Sequence, residues 1–291
     1  MTPPGAHLRS RSEALAQPLP PLLAEAERLA AGVLLGEHGR RRPGHGDAFW
    51  QYRTALPGDT ARSIDWRRSA RSDQHFVQEK EWQAAQSVVF WVDRSAAMRF
   101  ASSPDLAEKS DRAALLALAL AVLLVRGGER VGLSDLPTPP ARGTLQLARI
   151  ARALQAPAAQ DYGAPSVATL PRHSRALFLS DFMGDPAPVQ AALAKAAERG
   201  VKGVLLQVLD PSEEAFPFHG RTIFESMSGS LRHETRRADD LRARYQDRLA
   251  DRKATLQSMA QAAGWRYHLH HTDDAPATAL LWLFHALEPQ R

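Results

Sequence analysis

The feature that most constrains the fold is an alternation of apolar, strand-like runs with helical patterns, which begins at Ser87. The strand-like runs lie at 87–92, 130–134, 175–180, 203–209 and 265–270, and the helical patterns at 109–126, 144–155, 186–199, 234–263 and 275–287. Nearly continuous apolar strands are typical of parallel sheets that are buried on both faces by helices. We therefore predict an α/β fold with a mostly parallel sheet that carries helices on both faces.

The longest apolar stretch, AALLALALAVLLV at 113–125, bears on a membrane location. It is shorter than the roughly 20 residues that cross a bilayer, so we predict a buried core helix. The opening residues, MTPPGAHLRSRSEALAQPLPP, lack the apolar core of a secretory signal, and cysteine is absent. We expect a cytoplasmic protein without a membrane partner.

The residues before this alternation predict a separate organisation. Residues 1–18 are rich in Pro, Ala and Ser and are predicted to be disordered, and a helix is predicted at about 20–35. FWQYR at 49–53 and HFVQEKEW at 75–82 have the aromatic, alternating character of strands. The predicted domains are thus a disordered 1–18, a helix with a small β-containing subdomain at 19–85, and the main domain at 86–291.

The net charge of the chain is +5, and it is localised. Eight arginines and three aspartates between residues 38 and 71 account for a charge equal to that of the whole chain. Such a patch can bind phosphates or an acidic partner, or it can be a solvated loop with internal ion pairs. We expect no nucleic-acid partner, and we keep nucleic-acid binding through this cluster as an alternative.

Acidic residues follow two of the predicted strands. Asp93 comes after VVFWV and Asp181 after ALFLS, and in parallel sheets ligands bind at the carboxyl ends of strands. Ser95 lies two residues beyond Asp93 and Thr144 opens a predicted helix, so both can add hydroxyl oxygens for Mg²⁺. The competing interpretation is that these side chains only cap turns and helix starts.

A longer pattern links the chain to a known family. The order of the strand ends resembles the von Willebrand factor A fold, and the chain resembles the DUF58 family of bacterial proteins with a divergent domain of that type. The most specific match runs from Tyr52 through PGD and IDW to Arg71. Its charged and aromatic signature positions are Arg53, Asp59, Arg62, Asp65, Trp66 and Arg71.

The resemblance implies a non-enzymatic protein-interaction module. Proteins of this family are typically encoded beside MoxR-type AAA+ ATPases and other von Willebrand A proteins, and are thought to act with the ATPase in chaperone-like assembly or maturation of complexes. Domains of the wider fold often bind partners through a metal-ion-dependent adhesion site, in which Mg²⁺ accepts a carboxylate. Residue by residue, Asp93, Ser95, Thr144 and Asp181 match metal positions. Ala97 replaces a hydroxyl ligand, so the resemblance implies weak or absent Mg²⁺ binding.

Two further questions stay open at the level of sequence. The signature residues can form a structural brace, in which Asp65 holds Arg62 or Arg71 and Trp66 packs on a sheet, or they can form a partner-docking surface. The alternative function is a metal-dependent hydrolase that uses Asp93 and Asp181. The loops around these residues offer no clear general base, and the chain has no P-loop or nucleophile elbow.

Overall fold

The computed structural model describes residues 21–36, 49–55, 64–70, 74–80, 86–156, 158–226, 229 and 232–288. The predicted disorder of 1–18 and the signature residues Asp59, Arg62 and Arg71 lie outside them. The chain divides into two compact units, Met1–Glu37 with Gln86–Arg291, and His38–Ala85.

Strands and helices alternate along much of the described chain. The strands are β1 (Phe49–Thr54), β2 (Phe76–Lys80), β3 (Ser87–Val92), β4 (Arg130–Leu133), β5 (Arg175–Ser180), β6 (Lys202–Leu209), β7 (Thr222–Glu225), β8 (Arg232–Thr235) and β9 (Arg266–His271). The helices are α1 (Pro21–Gly36), α2 (Trp66–Ser69), α3 (Lys109–Arg126), α4 (Thr144–Leu154), α5 (Pro186–Glu198), α6 (Pro211–Ala215), α7 (Asp239–Ala262) and α8 (Pro276–Leu287).

The larger unit is built on a five-stranded, fully parallel sheet with the order β4-β3-β5-β6-β9. The chain runs from β3 outward to β4 and then returns to β5 on the other side, so the strand order reverses between β3 and β5. Crevices for ligands form at such reversals, beyond the carboxyl ends of the strands. The structure confirms the predicted α/β fold class.

Alternating side chains of the central strands enter two separate cores. Val88, Phe90 and Val92 of β3 belong to one core, whereas Val89 and Trp91 belong to the other. The first core is completed by α1, α3, α4 and α8, and the second by α5 and α7. Because both faces of β3 are covered, its sequence is apolar at every position from 88 to 92.

Helix α3 contains the apolar stretch that was predicted to form a core helix. Its residues from Ala113 to Leu124 are all buried, so this prediction is confirmed. Within the part of the chain that the structure describes, no helix is both long and apolar enough to cross a membrane.

Helix α1 belongs to the same compact unit as the main sheet. Leu23, Ala26 and Ala30 recur at helical spacing and lie in the core beside α3. The predicted domain boundaries grouped this helix with the β-containing residues up to 85, because the chain runs directly from one to the other. The tertiary grouping differs, since the apolar stripe of α1 is buried against the main domain.

The segment before α7 requires a correction. The sequence predicted a helix from residue 234, whereas residues 232–235 form β8, which pairs antiparallel with β7, and the helix begins at Asp239. Cross-strand partners at 222–225 satisfy the backbone groups of β8, so tertiary pairing overrides the local helical pattern.

The smaller unit contains an antiparallel pair formed by β1 and β2, with the short helix α2 between them in the chain. The Asp65 N–H donates to the Phe76 carbonyl at 2.8 Å, which ties the start of α2 to β2. Trp66 is 57% exposed, and its ring meets the His75 ring edge-on at 5.5 Å. Arg53 lies in β1, with its side chain outside the described part of the structure. Trp66 therefore offers an exposed ring for the docking interpretation.

Candidate functional site

The site lies where the strand order of the main sheet reverses. Val92 of β3 pairs with Leu179 of β5, and the Asp93 N–H donates to the Leu179 carbonyl at 2.9 Å. The sequence predicted that Asp93 and Asp181 each follow a strand end, and the pairing of β3 with β5 makes those strand ends neighbours. Both residues are buried, with 3% and 1% of their surface exposed.

The carboxylate of Asp93 accepts three hydrogen bonds, from donors in three different segments. Its Oδ1 accepts the Ser95 N–H at 2.9 Å, and its Oδ2 accepts the Ser180 hydroxyl at 2.7 Å and the Gly163 N–H at 3.3 Å. A side chain at position 163 has no room, because a Cβ built there lies 2.3 Å from Asp93 Oδ1. Asp93 thus joins β3, β5 and the 158–165 loop.

Asp181 instead pairs with a buried lysine. Lys109 Nζ donates to Asp181 Oδ2 at 2.8 Å and to Glu213 Oε1 at 2.7 Å. The other oxygen of Glu213 accepts the Asp210 N–H at 2.8 Å, in the capping box of α6. Lys109 is 1% exposed, so this ammonium group is buried together with the carboxylates that it bridges.

Lys109 occupies an unusual place for a cation. It is the first residue of α3, where the helix dipole disfavours positive charge. Burial lowers the pKa of Lys109, but the charges of Asp181 and Glu213 more than offset that effect and hold the pKa above its ordinary value. The two carboxylates therefore explain why a charged lysine is stable at this position.

Ser95 and Thr144, the other two residues predicted to bind a metal, make fewer contacts at the site. The Ser95 hydroxyl is buried and, among the described residues, has no hydrogen-bond partner, whereas Ala97 offers no ligand atom. Thr144 is exposed at the first residue of α4, and no hydrogen bond in the described part of the chain joins it to Asp93 or Asp181. The structure thus brings Asp93, Ser95 and Asp181 together without Thr144.

The residues present do not fit a Mg²⁺ ion. Magnesium needs hard oxygen ligands with free lone pairs directed at one point. Both oxygens of Asp93 accept hydrogen bonds from the protein, and Asp181 is paired with Lys109. The orphaned Ser95 hydroxyl favours a ligand, but one hydroxyl does not make a cation site. Among the described residues, no group of three or more acidic or histidine side chains could hold a metal ion.

A cavity of about 740 Å³ opens beside this buried ion cluster. Lys109, Asp181 and Glu213 form part of its wall, and α7 and the β7–β8 hairpin contribute others. Six aromatic side chains line it: Phe100, Tyr162, Phe216, Phe218, Phe224 and Tyr245. Its volume lies within the range of ordinary ligand pockets, and its lining is mostly apolar.

The aromatic wall is held together by ring contacts. Phe216 meets Phe224 in a stacked arrangement at 5.7 Å and Tyr245 at 4.9 Å. Burial and nearby carboxylates raise the pKa of Tyr245 to about 12, so its hydroxyl stays protonated and can donate a hydrogen bond. Arg244 and Arg248 of α7 also line the cavity, and both are exposed to solvent. The lining also includes Glu225, which is exposed, and Asp161, which is partly exposed, so the cavity combines an apolar interior with a rim of mixed charge.

Comparison with known families decides the affiliation. The family described as "Protein of unknown function DUF58" matches residues 51–255, which is more than half of the chain. The chain belongs to the DUF58 family. The match includes the signature around PGD and IDW, so the family predicted from those residues is confirmed.

The relatives of this DUF58 protein include an uncharacterized protein of Mycobacterium tuberculosis and one of Mycobacterium bovis. Each is 30% identical over 220 residues, which are 70% of this chain and 68% of the relative. Among solved structures, an aerotolerance-related membrane protein from Bacteroides fragilis matches with 14% identity and a TM-score of 0.42, over 69% of this chain and 98% of that one. The conserved hypothetical protein BatB from Bacteroides thetaiotaomicron matches with 12% identity and a TM-score of 0.38, over 70% and 97% of the two chains.

The histidines at the end of β9 have separate partners in this DUF58 protein. His268 stacks on Trp282 at 4.2 Å, and His271 bonds to Glu214. His270 is buried, and its Nε2 accepts a hydrogen bond from Arg112 at 3.1 Å. The three rings therefore act as individual packing and bonding groups of the strand.

His270 makes stability depend on pH. Burial, together with Arg112, His268 and His271, lowers its pKa to about 4, although Asp274 opposes the shift. The unfolded chain binds a proton at this residue near pH 6.5, so stability is present above that pH and is lost as the pH falls towards 4. We expect a loss of about 2 kcal/mol between about pH 7.5 and 5.

Urea unfolding of the wild type and of His270→Gln across this range measures the effect, because Gln keeps an acceptor for Arg112 but does not titrate. The difference between the two free-energy curves should appear below about pH 6.5. Parallel curves down to pH 5 would contradict it.

Several site residues were not predicted from the sequence. Lys109 carried a recognisable signal, since a lysine that opens an otherwise buried helix conflicts with the helix dipole. Gly163 and Ser180 carried no comparable signal, because their role depends on contacts with Asp93 from distant parts of the chain. Phe216 and Tyr245 come together only through the packing of α7 beside the loop after α6.

Proposed function

We propose that this DUF58 protein is a non-enzymatic, von Willebrand A-like interaction module that binds a partner protein through the cavity at the carboxyl edge of its sheet. The observation that carries the proposal is the aromatic lining of this cavity at the point where the strand order reverses. Buried aromatic side chains contribute much of the binding energy in protein interfaces, and strand-order reversals are common ligand sites.

The state of the acidic groups supports binding over hydrolysis. A general base needs a carboxylate or imidazole within reach of a substrate proton. Asp93 accepts three hydrogen bonds from its own chain, and Asp181 and Glu213 share the Lys109 ammonium. These groups therefore stabilise the edge of the sheet, and we assign no catalytic role to them.

We propose a MoxR-type AAA+ ATPase as the partner, in the cytoplasm, with chaperone-like assembly or maturation of complexes as the shared task. This choice rests on the family, whose members are typically encoded beside such ATPases. Other von Willebrand A proteins of the same gene clusters are additional candidates. The α7 side of the rim adds a chemical constraint, because Arg244 and Arg248 favour acidic residues on the part of the partner that faces this helix.

The proposal predicts that reversing charge at the rim weakens binding. Arg248→Glu should reduce the affinity for the cognate ATPase about tenfold, since an acidic contact would turn from attraction to repulsion. The matched control is Lys195→Glu, which makes the same charge change on an exposed residue near the end of α5 and outside the cavity lining. Its affinity should equal that of the wild type.

Surface-immobilised binding of the purified ATPase, with and without nucleotide, measures both variants. Absence of association with the wild type under all these conditions would refute the ATPase as partner. Equal losses in Arg248→Glu and Lys195→Glu would instead remove the cavity as the binding site.

A further inference from the structure

We infer that the Lys109 ammonium is the resident cation of the carboxyl edge, and that this edge functions without a divalent metal. The inference goes beyond the proposed function and does not depend on which partner the cavity binds. It concerns the charge that holds the loops after β3, β5 and β6 together.

The first argument is position. Asp181 follows β5 at the strand-order reversal, where the resemblance expects a metal-bound carboxylate, and its Oδ2 lies 2.8 Å from Lys109 Nζ. Glu213 Oε1 lies 2.7 Å from the same nitrogen. One ammonium group therefore bridges a carboxylate after β5 and a carboxylate in α6. A metal ion joins carboxylates in the same way in other domains of this fold.

The second argument is burial. The side chains of Lys109 and Asp181 are each 2% exposed, so the lysine belongs to the protein interior and is not a surface side chain. Burying a charge without a partner is costly, and here each charge has an opposite one within hydrogen-bond distance. Phe100 closes one side, with its ring centroid 5.7 Å from Lys109 Nζ.

The third argument is the loss of ligands around the same point. Ala97 lines the cavity where the resemblance expects a hydroxyl, and both oxygens of Asp93 already accept hydrogen bonds, from Ser95, Ser180 and Gly163. Lys109 supplies a positive charge between Asp181 and Glu213, and Ala97 lacks the hydroxyl that a metal would use. A partner carboxylate consequently finds no open metal position at this edge.

The test compares metal responses of the full chain by differential scanning fluorimetry and isothermal calorimetry. The wild type should give no saturable heat with Mg²⁺ or Mn²⁺ and no change in melting temperature. Lys109→Met removes the ammonium at similar length, leaving two carboxylates without a counter-ion. Its melting temperature should fall by about 10 °C. Mn²⁺ should restore part of that loss.

Two further variants sharpen the comparison. Lys109→Met combined with Glu213→Gln leaves one carboxylate, so its melting temperature should exceed that of Lys109→Met and should not respond to Mn²⁺. Lys253→Met is the matched control, because it breaks a lysine–glutamate pair with Glu214 on the more exposed surface. It should show a small loss of stability and no metal response.

Saturable binding of Mg²⁺ or Mn²⁺ by the wild type would overturn the inference. A Lys109→Met variant that keeps the wild-type melting temperature, or that ignores Mn²⁺, would overturn it as well. Should Lys109→Met fail to fold, the wild-type titration and the double variant still decide the outcome.

Discussion

Replacing Asp93 by alanine is expected to lower the free energy of unfolding by about 4 kcal/mol, because two buried donors and one half-buried donor lose a charged acceptor at once. This carboxylate accepts hydrogen bonds from the Ser95 N–H at 2.9 Å, the Ser180 hydroxyl at 2.7 Å and the Gly163 N–H at 3.3 Å. The loss should be the same with and without Mg²⁺, since the carboxylate serves the protein and not an ion. Chemical denaturation in both conditions measures it.

The matched control for this prediction is Asp185→Ala. Asp185 also accepts a backbone N–H, from Ala187 at 3.0 Å, but it does so as an exposed cap of α5. Its removal should cost only about 1 kcal/mol. The structural role of Asp93 would be contradicted by equal losses in the two variants, or by a Mg²⁺ stabilisation that the wild type shows and Asp93→Ala lacks.

The second large effect is expected from a single added methyl group. Gly163→Ala places a Cβ about 2.3 Å from Asp93 Oδ1 and 2.6 Å from its Cγ, so the 158–165 loop or the Asp93 side chain must move. Overpacking of this kind should cost about 3 kcal/mol. Gly32→Ala provides the control, since a Cβ there has nothing within 4 Å in helix α1, and this change should be neutral or stabilising.

A double-mutant cycle identifies the clash as the cause. In the Asp93→Ala background the carboxylate is absent. There, adding Gly163→Ala should lower the free energy of unfolding by less than about 1 kcal/mol. Strong non-additivity is therefore the expected result in urea unfolding. Additive losses would show that the glycine is required for another reason, such as the conformation of its own loop.

Most strands and helices of the main domain were predicted from the periodicity of apolar residues. The strands at 87–92 and 175–180 agree with the sequence prediction at both ends, because their apolar runs are bounded by polar residues. The segment at 232–235 was misassigned to a helix, since its pairing with 222–225 depends on a partner strand that local pattern does not reveal. Helix α1 was placed correctly along the chain, but its packing partner could not be inferred from spacing alone.

The site shows the same division more sharply. Asp93 and Asp181 were found because the carboxyl ends of neighbouring parallel strands converge. The hydrogen bonds and ion pairs of these two residues were not predicted, because they depend on partners far away in the chain. Lys109 lies 72 residues from Asp181 and 104 residues from Glu213, and Gly163 lies 70 residues from Asp93.

The sequence by itself determined that this chain forms a parallel sheet buried by helices, that it belongs to a family marked by PGD and IDW, and that two acidic residues each follow a strand. Those properties follow from local periodicity, turn residues and a contiguous motif. Only the tertiary structure decided that Lys109 supplies the positive charge between Asp181 and Glu213, and that an aromatic cavity opens beside them. Charge compensation and cavity shape arise from side chains that distant segments bring together, so they depend on packing and not on local pattern.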